Sequence, residues 1–454
     1  MIRERLKNAT TAEEKEAALL AIRVLDPACG SGHFLLAAAR RLALELARIR
    51  AGDDQPSEEL RQQCMREVVA KCIYGVDRNT MAVELCKVAL WMEAIEPGKP
   101  LGFLDAHIQC GDSLVGVFDP KVLDGGIPDG AYKPLTGDEK EVCTSLKKDN
   151  QAFAKRGQGD LFSGIQAVIV TPSQEGFEAI KEEDLAGARA KQLAYAEWLE
   201  EPAVQRQRLA ANTYTAAFFL KKDGATRSLV PTSEHLDALV RGGAMQEAME
   251  ATVQKAAADF RFLHWYLVFP DAMAAGGFDC VLGNPPWEVL EEEEKKFFGA
   301  RHPEIAAAPG AKRKRLILGL QTECPLLYEV WQDFSRERES FKEFHRMHPA
   351  LRLSSYKKLN LYASFLEISS TLVRCTGRVG LVIQGGFLSD ESRSKLASEL
   401  ISSKRIIEYL EFNNSVGLFV MFIANRVLRS LHFSAQMLET IPFSWLLAVN
   451  PLAI

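Results

Sequence analysis

Apolar residues along this chain fall into short, uninterrupted runs separated by longer stretches with helical periodicity. Ile22-Arg23-Val24-Leu25, Cys72-Ile73-Tyr74-Gly75-Val76-Asp77 and His107-Ile108-Gln109-Cys110 read as buried strands, and the spacing between them predicts amphipathic helices over 33–49 and 80–94. A helix also starts near residue 12, where Thr11 and Glu14 stand at capping-box spacing. This alternation predicts an α/β fold, a mostly parallel sheet covered by helices on both faces. The next strand, Phe278-Asp279-Cys280-Val281-Leu282, arrives only after a long interruption. That interruption opens with the loop Asp124-Gly125-Gly126-Ile127-Pro128-Asp129-Gly130 and continues with helical stretches near 177–220 and 233–262. It is too long for a plain connection, so a mainly helical insertion is expected over 117–276. A strand at 377–383, a capped helix at 389–402 and a strand at 405–410 follow. The expected division is a core in two halves, 1–116 and 277–420, interrupted by 117–276 and followed by a divergent tail, 421–454.

Composition narrows the class without deciding the function. The 454 residues are 47% apolar and 25% charged, the proportions of a packed globular protein. No apolar run reaches the roughly 18 residues of a membrane span, and the start Met1-Ile2-Arg3-Glu4-Arg5 is charged. A cytoplasmic protein without a membrane segment is therefore expected. Nine cysteines are scattered with no Cys-x-x-Cys pair, which points to reduced thiols and to neither a metal site nor a disulfide framework. The net charge of −5 counts against a broadly basic nucleic-acid surface. Local clusters offset it: Lys312-Arg313-Lys314-Arg315, and then Arg336, Arg338, Lys342, His345 and Arg346. Each of these cations reads equally well as part of a solvated helix face.

Two motifs carry chemistry. Asn284-Pro285-Pro286-Trp287 directly follows the strand at 278–282. Consecutive prolines fix the backbone and remove two donors, leaving nearby carbonyls free to accept from a ligand. Asn284 adds an amide oxygen and Trp287 a stacking face. Together they suit a flat ring bearing an exocyclic amine. Upstream, the first strand runs into Asp26-Pro27-Ala28-Cys29-Gly30-Ser31-Gly32 and then a helix. Gly30 and Gly32 allow close backbone approach, and the helix start offers free N–H groups to a carboxylate. The third glycine of a dinucleotide fingerprint is missing, so a nucleotide-like ligand follows but a pyrophosphate does not.

These residues resemble a known family. Asp26-Pro27-Ala28-Cys29-Gly30-Ser31-Gly32 is similar to the S-adenosyl-L-methionine motif of amino-group DNA methyltransferases, and Asn284-Pro285-Pro286-Trp287 to their catalytic motif. The glycine motif comes first, as in the gamma order. The likeness is nearest to the adenine-specific (N6) methylase regions of type II restriction-modification and phage-defence enzymes, which carry runs like Phe262-Leu263-His264-Trp265 and Gly276-Gly277-Phe278-Asp279-Cys280-Val281-Leu282-Gly283. The resemblance implies a class I, Rossmann-like methyltransferase fold. It implies cofactor contacts from Asp26, Pro27, Ala28, Cys29, Gly30 and Gly32, with Asp77 on the ribose and Asp112 on the cofactor's adenine amine. It implies target-amine contacts from Asn284, Pro285, Pro286 and Trp287, and a base pocket shared by Tyr362 and Phe365 in Leu359-Asn360-Leu361-Tyr362-Ala363-Ser364-Phe365. Double-stranded DNA would be the substrate, with a separate restriction or specificity chain as a further partner.

Plainer readings stand beside these. Asp77 also suits a cap for the helix beginning at Thr80, Asp112 a turn, and Tyr362 with Phe365 ordinary core packing at i,i+3. Three departures from the family are visible. No Tyr-Thr-Pro-like segment precedes the glycine motif, no nuclease motif lies upstream, and the likeness stops beyond Phe419. A truncated methylase region is therefore expected. Two alternatives remain: an amino-methyltransferase acting on protein glutamine or RNA, and a non-catalytic remnant.

Overall fold

A computed structural model of the protein describes residues 1–157, 173–290, 294–385, 387–388, 390–413 and 427–434. Its strands are β1 (Val24–Asp26), β2 (Ile73–Asp77), β3 (Ile108–Cys110), β4 (Phe278–Gly283), β5 (Val373–Gln384), β6 (Ile406–Asn413) and β7 (Val427–Ser434). They form one sheet in the order β3-β2-β1-β4-β5-β7-β6. The first five strands of that order are parallel, and β7 runs antiparallel to both its neighbours. Val24 pairs with Ile73 on one side and with Cys280 on the other, so β1 lies in the middle of the five parallel strands. Strand order reverses between β1 and β4, which opens a crevice at the carboxyl ends of those strands.

The helix His33–Ala51 starts at Gly32, whose φ of 86° only glycine adopts readily, and buries Leu35, Ala39, Leu42, Ala43, Leu46 and Ala47. That is the apolar stripe which the periodicity predicts. Thr11 and Glu14 form the expected capping box, with the Glu14 amide donating to Thr11 Oγ1 at 3.1 Å. A helix not anticipated from sequence, Glu58–Cys72, is rich in charged and amide side chains yet buries Cys64, Met65, Val68, Val69 and Cys72. Its polar content hid the i,i+3,i+4 stripe.

The stretch between β3 and β4 contributes the helices Leu185–Glu200, Pro202–Phe219, Ser233–Val240 and Glu247–Asp259. Tyr214, Phe218 and Phe219 share one apolar core with Leu25, Val76, Phe278 and Val281 of the sheet. The helix Pro325–Met347 joins the same core through Phe344, whose ring meets Phe218 at 5.3 Å. In the tail set apart as divergent, β7 inserts between β5 and β6, with Leu431 paired to Leu381 on one side and to Tyr409 on the other. Its second half, Leu431-His432-Phe433-Ser434, alternates apolar and polar positions, a short strand signal that loss of family likeness obscured. Among the described residues no helix is long and apolar enough to cross a membrane.

Candidate functional site

A cavity of about 460 Å³ opens at the carboxyl ends of β1, β2 and β4, and Pro27, Ala28, Asp77, Asp112, Asn284 and Pro286 line it. Its size suits a cofactor-sized ligand, for which roughly 300–1,000 Å³ is usual. Segments separated by more than 250 residues in sequence therefore meet at one point, the strand crossover, as the parallel sheet demands.

The β1–β2 wall is bound together by its own backbone. Asp77 accepts from the Gly30 amide at 2.9 Å and from the Asn79 amide at 2.7 Å, and the Cys29 amide donates to the Val76 carbonyl at 2.9 Å. The helix Thr80–Glu93 is capped by Asn79 and not by Asp77. Each Asp77 oxygen keeps a lone pair, so two further donors such as ribose hydroxyls can be received. Gly30 has φ 53°, and a Cβ there would meet nothing within 4 Å. Gly32 has a different duty, since a Cβ would lie 2.7 Å from Cys86 Sγ; its absence lets the loop pack on the neighbouring helix. Asp26 sits beneath the loop and does not reach the cavity. It accepts from the Ala28 amide at 3.0 Å, and a Cβ on Gly283 would lie 2.5 Å from its Oδ1. Burial, aided by the charge of Asp77 and opposed by the Ala28 hydrogen bond, pushes the Asp26 carboxyl up to about 7.

Asp112 is 8% exposed. Burial raises its carboxyl above the ordinary value, against the opposing charge of Arg78. The position of Asp112 is set from the insertion: its amide donates to the Arg261 carbonyl at 2.7 Å, and Leu263 and Trp265 amides bond the Val115 and Val117 carbonyls at 2.8 and 3.0 Å. His264 closes this join, its Nδ1 accepting from the Val117 amide at 3.1 Å, so its Nε2–H is the donor to Asn212 Oδ1 at 2.8 Å. Burial holds that imidazole neutral, down to about 3. The Phe262-Leu263-His264-Trp265 run thus holds the Asp112 loop.

The β4 wall carries the Asn284 turn. Asn284 Oδ1 is buried and accepts no hydrogen bond among the described residues, an arrangement that costs about 1–3 kcal/mol unless a ligand supplies the donor. Glu288–Leu290 then pairs with the segment before the helix Leu361–Leu372. The Leu290 amide donates to the Leu359 carbonyl and the Leu361 amide to the Glu288 carbonyl, both at 2.9 Å. This link brings Phe365 to the cavity. Trp287 and Tyr362 do not line the cavity: Trp287 packs against the main core, and Tyr362 is fully buried with the Arg393 guanidinium 5.0 Å from its ring.

Arg78, Phe219, Phe260, Glu337, Arg338 and Phe341 also line the cavity, and sequence reasoning named only Arg338 among them, as a cation. Phe219 ends the helix Pro202–Phe219 and Phe260 follows the helix Glu247–Asp259, both between β3 and β4, where no local pattern marks them. Several of the cations expected to meet DNA are structural. Arg313 is buried, donating to the Ile305 and Ala308 carbonyls and pairing with Glu294 at 3.2 Å. Arg336 is buried on Asp138 and the Leu220 carbonyl. His345 is fully buried, and burial lowers it to about 3. The charges of Arg313 and Arg336 are met by partners inside the fold, and His345 is buried and neutral, so these three are unavailable to a duplex.

The strand order and the crevice at the β1/β4 crossover define a class I S-adenosylmethionine-dependent methyltransferase fold. Residues 71–309 match the model of the Eco57I restriction-modification methylase family, and residues 2–97 match the DNA-methyltransferase domain of MmeI. The chain belongs to the Eco57I restriction-modification methylase family. It is 26% identical over 317 residues to a putative type II restriction enzyme and methyltransferase of Methanocaldococcus jannaschii, covering 62% of this chain and 23% of that protein. It is 26% identical over 200 residues to the adenine-specific methyltransferase PglX of Streptomyces coelicolor, covering 37% of this chain and 16% of that one. The chain thus spans less than a quarter of either relative. Among solved structures it is similar to the restriction-modification enzyme MmeI in complex with DNA, at 13% identity and a TM-score of 0.33, covering 96% of this chain and 34% of that one. It is also similar to a nuclease-deletion mutant of the Type ISP enzyme LlaGI with a DNA substrate mimic, at 8% identity and a TM-score of 0.35, covering 95% and 22%.

Proposed function

We propose that the chain transfers a methyl group from S-adenosyl-L-methionine to the exocyclic amine of adenine in double-stranded DNA, as the modifying part of a restriction-modification or related defence system. The observation that carries this reading is Asn284, which lines the cavity that also presents Asp77 and Asp112 and whose buried Oδ1 accepts no hydrogen bond among the described residues. Methyltransferase families generally use this cofactor, and when bound it supplies an electrophilic methyl on a sulfonium centre. Asp77 would accept from its ribose hydroxyls, and Asp112 from its adenine amine. Phe219 and Phe260 complete that side of the cavity, which gives the 117–276 stretch a part in cofactor binding.

Asn284 Oδ1 and the Pro285 carbonyl would accept the two hydrogens of the target amine. The amine lone pair is delocalised into the ring, so two fixed acceptors favour the pyramidal nitrogen that attacks and stabilise the positive charge developing on it. The methylated ammonium that results is a strong acid, and its surplus proton passes to water once the product amine leaves the turn. A base inside a duplex cannot reach this turn and must be flipped out. Pro286 and Phe365, at the cavity surface, would pack on it, and Trp287 would brace the turn from the core side.

The test is to incubate the chain with the cofactor and unmethylated duplex DNA, RNA or a glutamine-bearing peptide, and to identify products by mass spectrometry after digestion. N6-methyladenine from the DNA arm is expected. Methyl groups on glutamine or RNA with none on DNA would reverse the proposal. A separate restriction or specificity chain is part of the same proposal, tested by co-purification from the source cell.

A further inference from the structure

Asp77 is followed by Arg78, which lines the same cavity and whose guanidinium is shared between two acids that also line it. Its Nη2 donates to Glu337 Oε1 at 3.1 Å, which ties the end of β2 to the helix Pro325–Met347. Its Nη1 lies 3.7 Å from Asp112 Oδ2. That distance makes an ion pair without a hydrogen bond, so the guanidinium favours the charge on Asp112 and leaves the Oδ2 lone pairs open to a ligand. Asp112 Oδ1 already accepts from the Leu114 amide at 3.0 Å.

The other surroundings of Asp112 work mostly against its charge. Burial raises its carboxyl, and so do the carboxylates of Glu337 on the long helix and Asp77 at the end of β2; Arg78 and the Leu114 amide oppose them. Arg261, whose carbonyl receives the Asp112 amide, turns its own guanidinium to Thr80 Oγ1 at 2.6 Å and Cys110 Sγ at 3.0 Å. Arg78 is therefore the one cation paired with Asp112 among the described residues. Its charge matters because the state of a carboxyl decides what it can recognise. Ionised, it only accepts; protonated, it donates one O–H. A 6-amino purine offers hydrogens to an acceptor, whereas a 6-oxo purine held by the same ribose puts an oxygen there and calls for a donor.

We propose that Arg78 is a positioning residue which holds Asp112 as an acceptor-only carboxylate and so selects a 6-amino over a 6-oxo purine in the cofactor. This rests on the contact between Asp112 and the cofactor's adenine amine proposed above, and adds the group that sets its specificity. Arg78 acts through the charge of Asp112 and not by touching the cofactor's base.

The test titrates the full chain calorimetrically with S-adenosyl-L-homocysteine and with its 6-oxo counterpart, S-inosyl-L-homocysteine, neither of which can donate a methyl group. The parental chain should prefer the amino form by about 10²-fold at about pH 6 and about pH 8 alike, because a carboxylate facing the 6-oxygen is left unpaired. Arg78→Gln changes a half-exposed side chain and leaves Asp112 protonated to higher pH. In this variant the preference should shrink about tenfold or more at about pH 6 and recover toward the parental value at about pH 8, as the carboxyl ionises with rising pH. Arg78→Lys should keep the parental preference at both. An unchanged preference in Arg78→Gln, including an equal loss of affinity for both ligands, would overturn the role of Arg78, while discrimination by the parent leaves the Asp112 contact standing. Failure of the parent to bind the amino form, or equal binding of both forms, would overturn that contact and the role of Arg78 with it.

Discussion

On the β1–β2 side of the cavity the polar groups are already engaged with one another. Asp77 ties the glycine loop to the next helix, Asp26 holds the Ala28 amide, and Asp112 is fixed through Arg261 and Leu263. On the β4 side, Asn284 Oδ1 is buried with no donor among the described residues, and the turn is followed by the short pairing of 288–290 with 359–361. The first wall is braced by the fold and keeps the second lone pairs of Asp77 for a ligand; the second leaves a buried acceptor for a ligand to satisfy. Under the proposed function, such a site would bind one partner by preorganisation and keep its unmet hydrogen-bonding capacity for the reacting group.

The largest effect is expected where the helix Pro325–Met347 is tied through Arg336 to Asp138 and the Leu220 carbonyl. Arg336→Ala leaves the fully buried Asp138 carboxylate without its cation and should destabilise the fold by about 3–5 kcal/mol, read by urea unfolding. An effect under about 0.5 kcal/mol would place Arg336 with the ordinary surface cations.

Asp77→Ala should weaken cofactor binding by about 1.5–3 kcal/mol, because a charged acceptor is lost both to the ligand and to the Gly30 amide. Calorimetry decides it, and an unchanged affinity would remove Asp77 from the site.

The pH dependence of stability probes the contact between the two walls, where Asp26 lies against Gly283. Its carboxyl is raised from 3.8 to about 7 by burial, so folding favours the protonated form. That contribution is complete below the ordinary value and is lost as pH climbs through about 7. Melting temperature of the ligand-free chain should fall across this window, and Asp26→Asn, which keeps an acceptor for Ala28, should flatten the fall. Parallel curves for parent and variant would assign the pH dependence elsewhere.

The smallest effect is expected at Lys314, exposed beside the buried Arg313. Lys314→Ala should change stability by less than about 0.5 kcal/mol, whereas Arg313→Ala strands Glu294 and should cost several times more.

This contrast between adjacent residues explains what the sequence could and could not disclose. Strands β1 to β4 and the glycine loop are short-range patterns, an apolar run followed by turn residues, and the structure has them close to where the pattern puts them. The Asn284 turn is equally local. Sequence spacing marks the buried side of a helix by its apolar residues and passes over a cation or imidazole that shares that side, so Arg313, Arg336 and His345 looked like the other basic residues of their clusters. It is also blind to distant chain returning to a site: Phe219 and Phe260 reach the cavity from the ends of helices that carry no motif. Trp287 and Tyr362 show the converse, aromatic residues inside convincing motifs that the fold turns toward its core.

The central claim, that one wall holds the cofactor and the other acts on the target amine, is tested most directly in the variant Asn284→Ala. Cofactor affinity by calorimetry and single-turnover methyl transfer to duplex DNA would be measured on the same protein preparation. Affinity within about twofold of the parent, with transfer reduced roughly 10²–10³-fold as for the loss of one preorganised polar contact, is the predicted result. Transfer at the parental rate, or a loss of transfer fully accounted for by weaker cofactor binding, would contradict it.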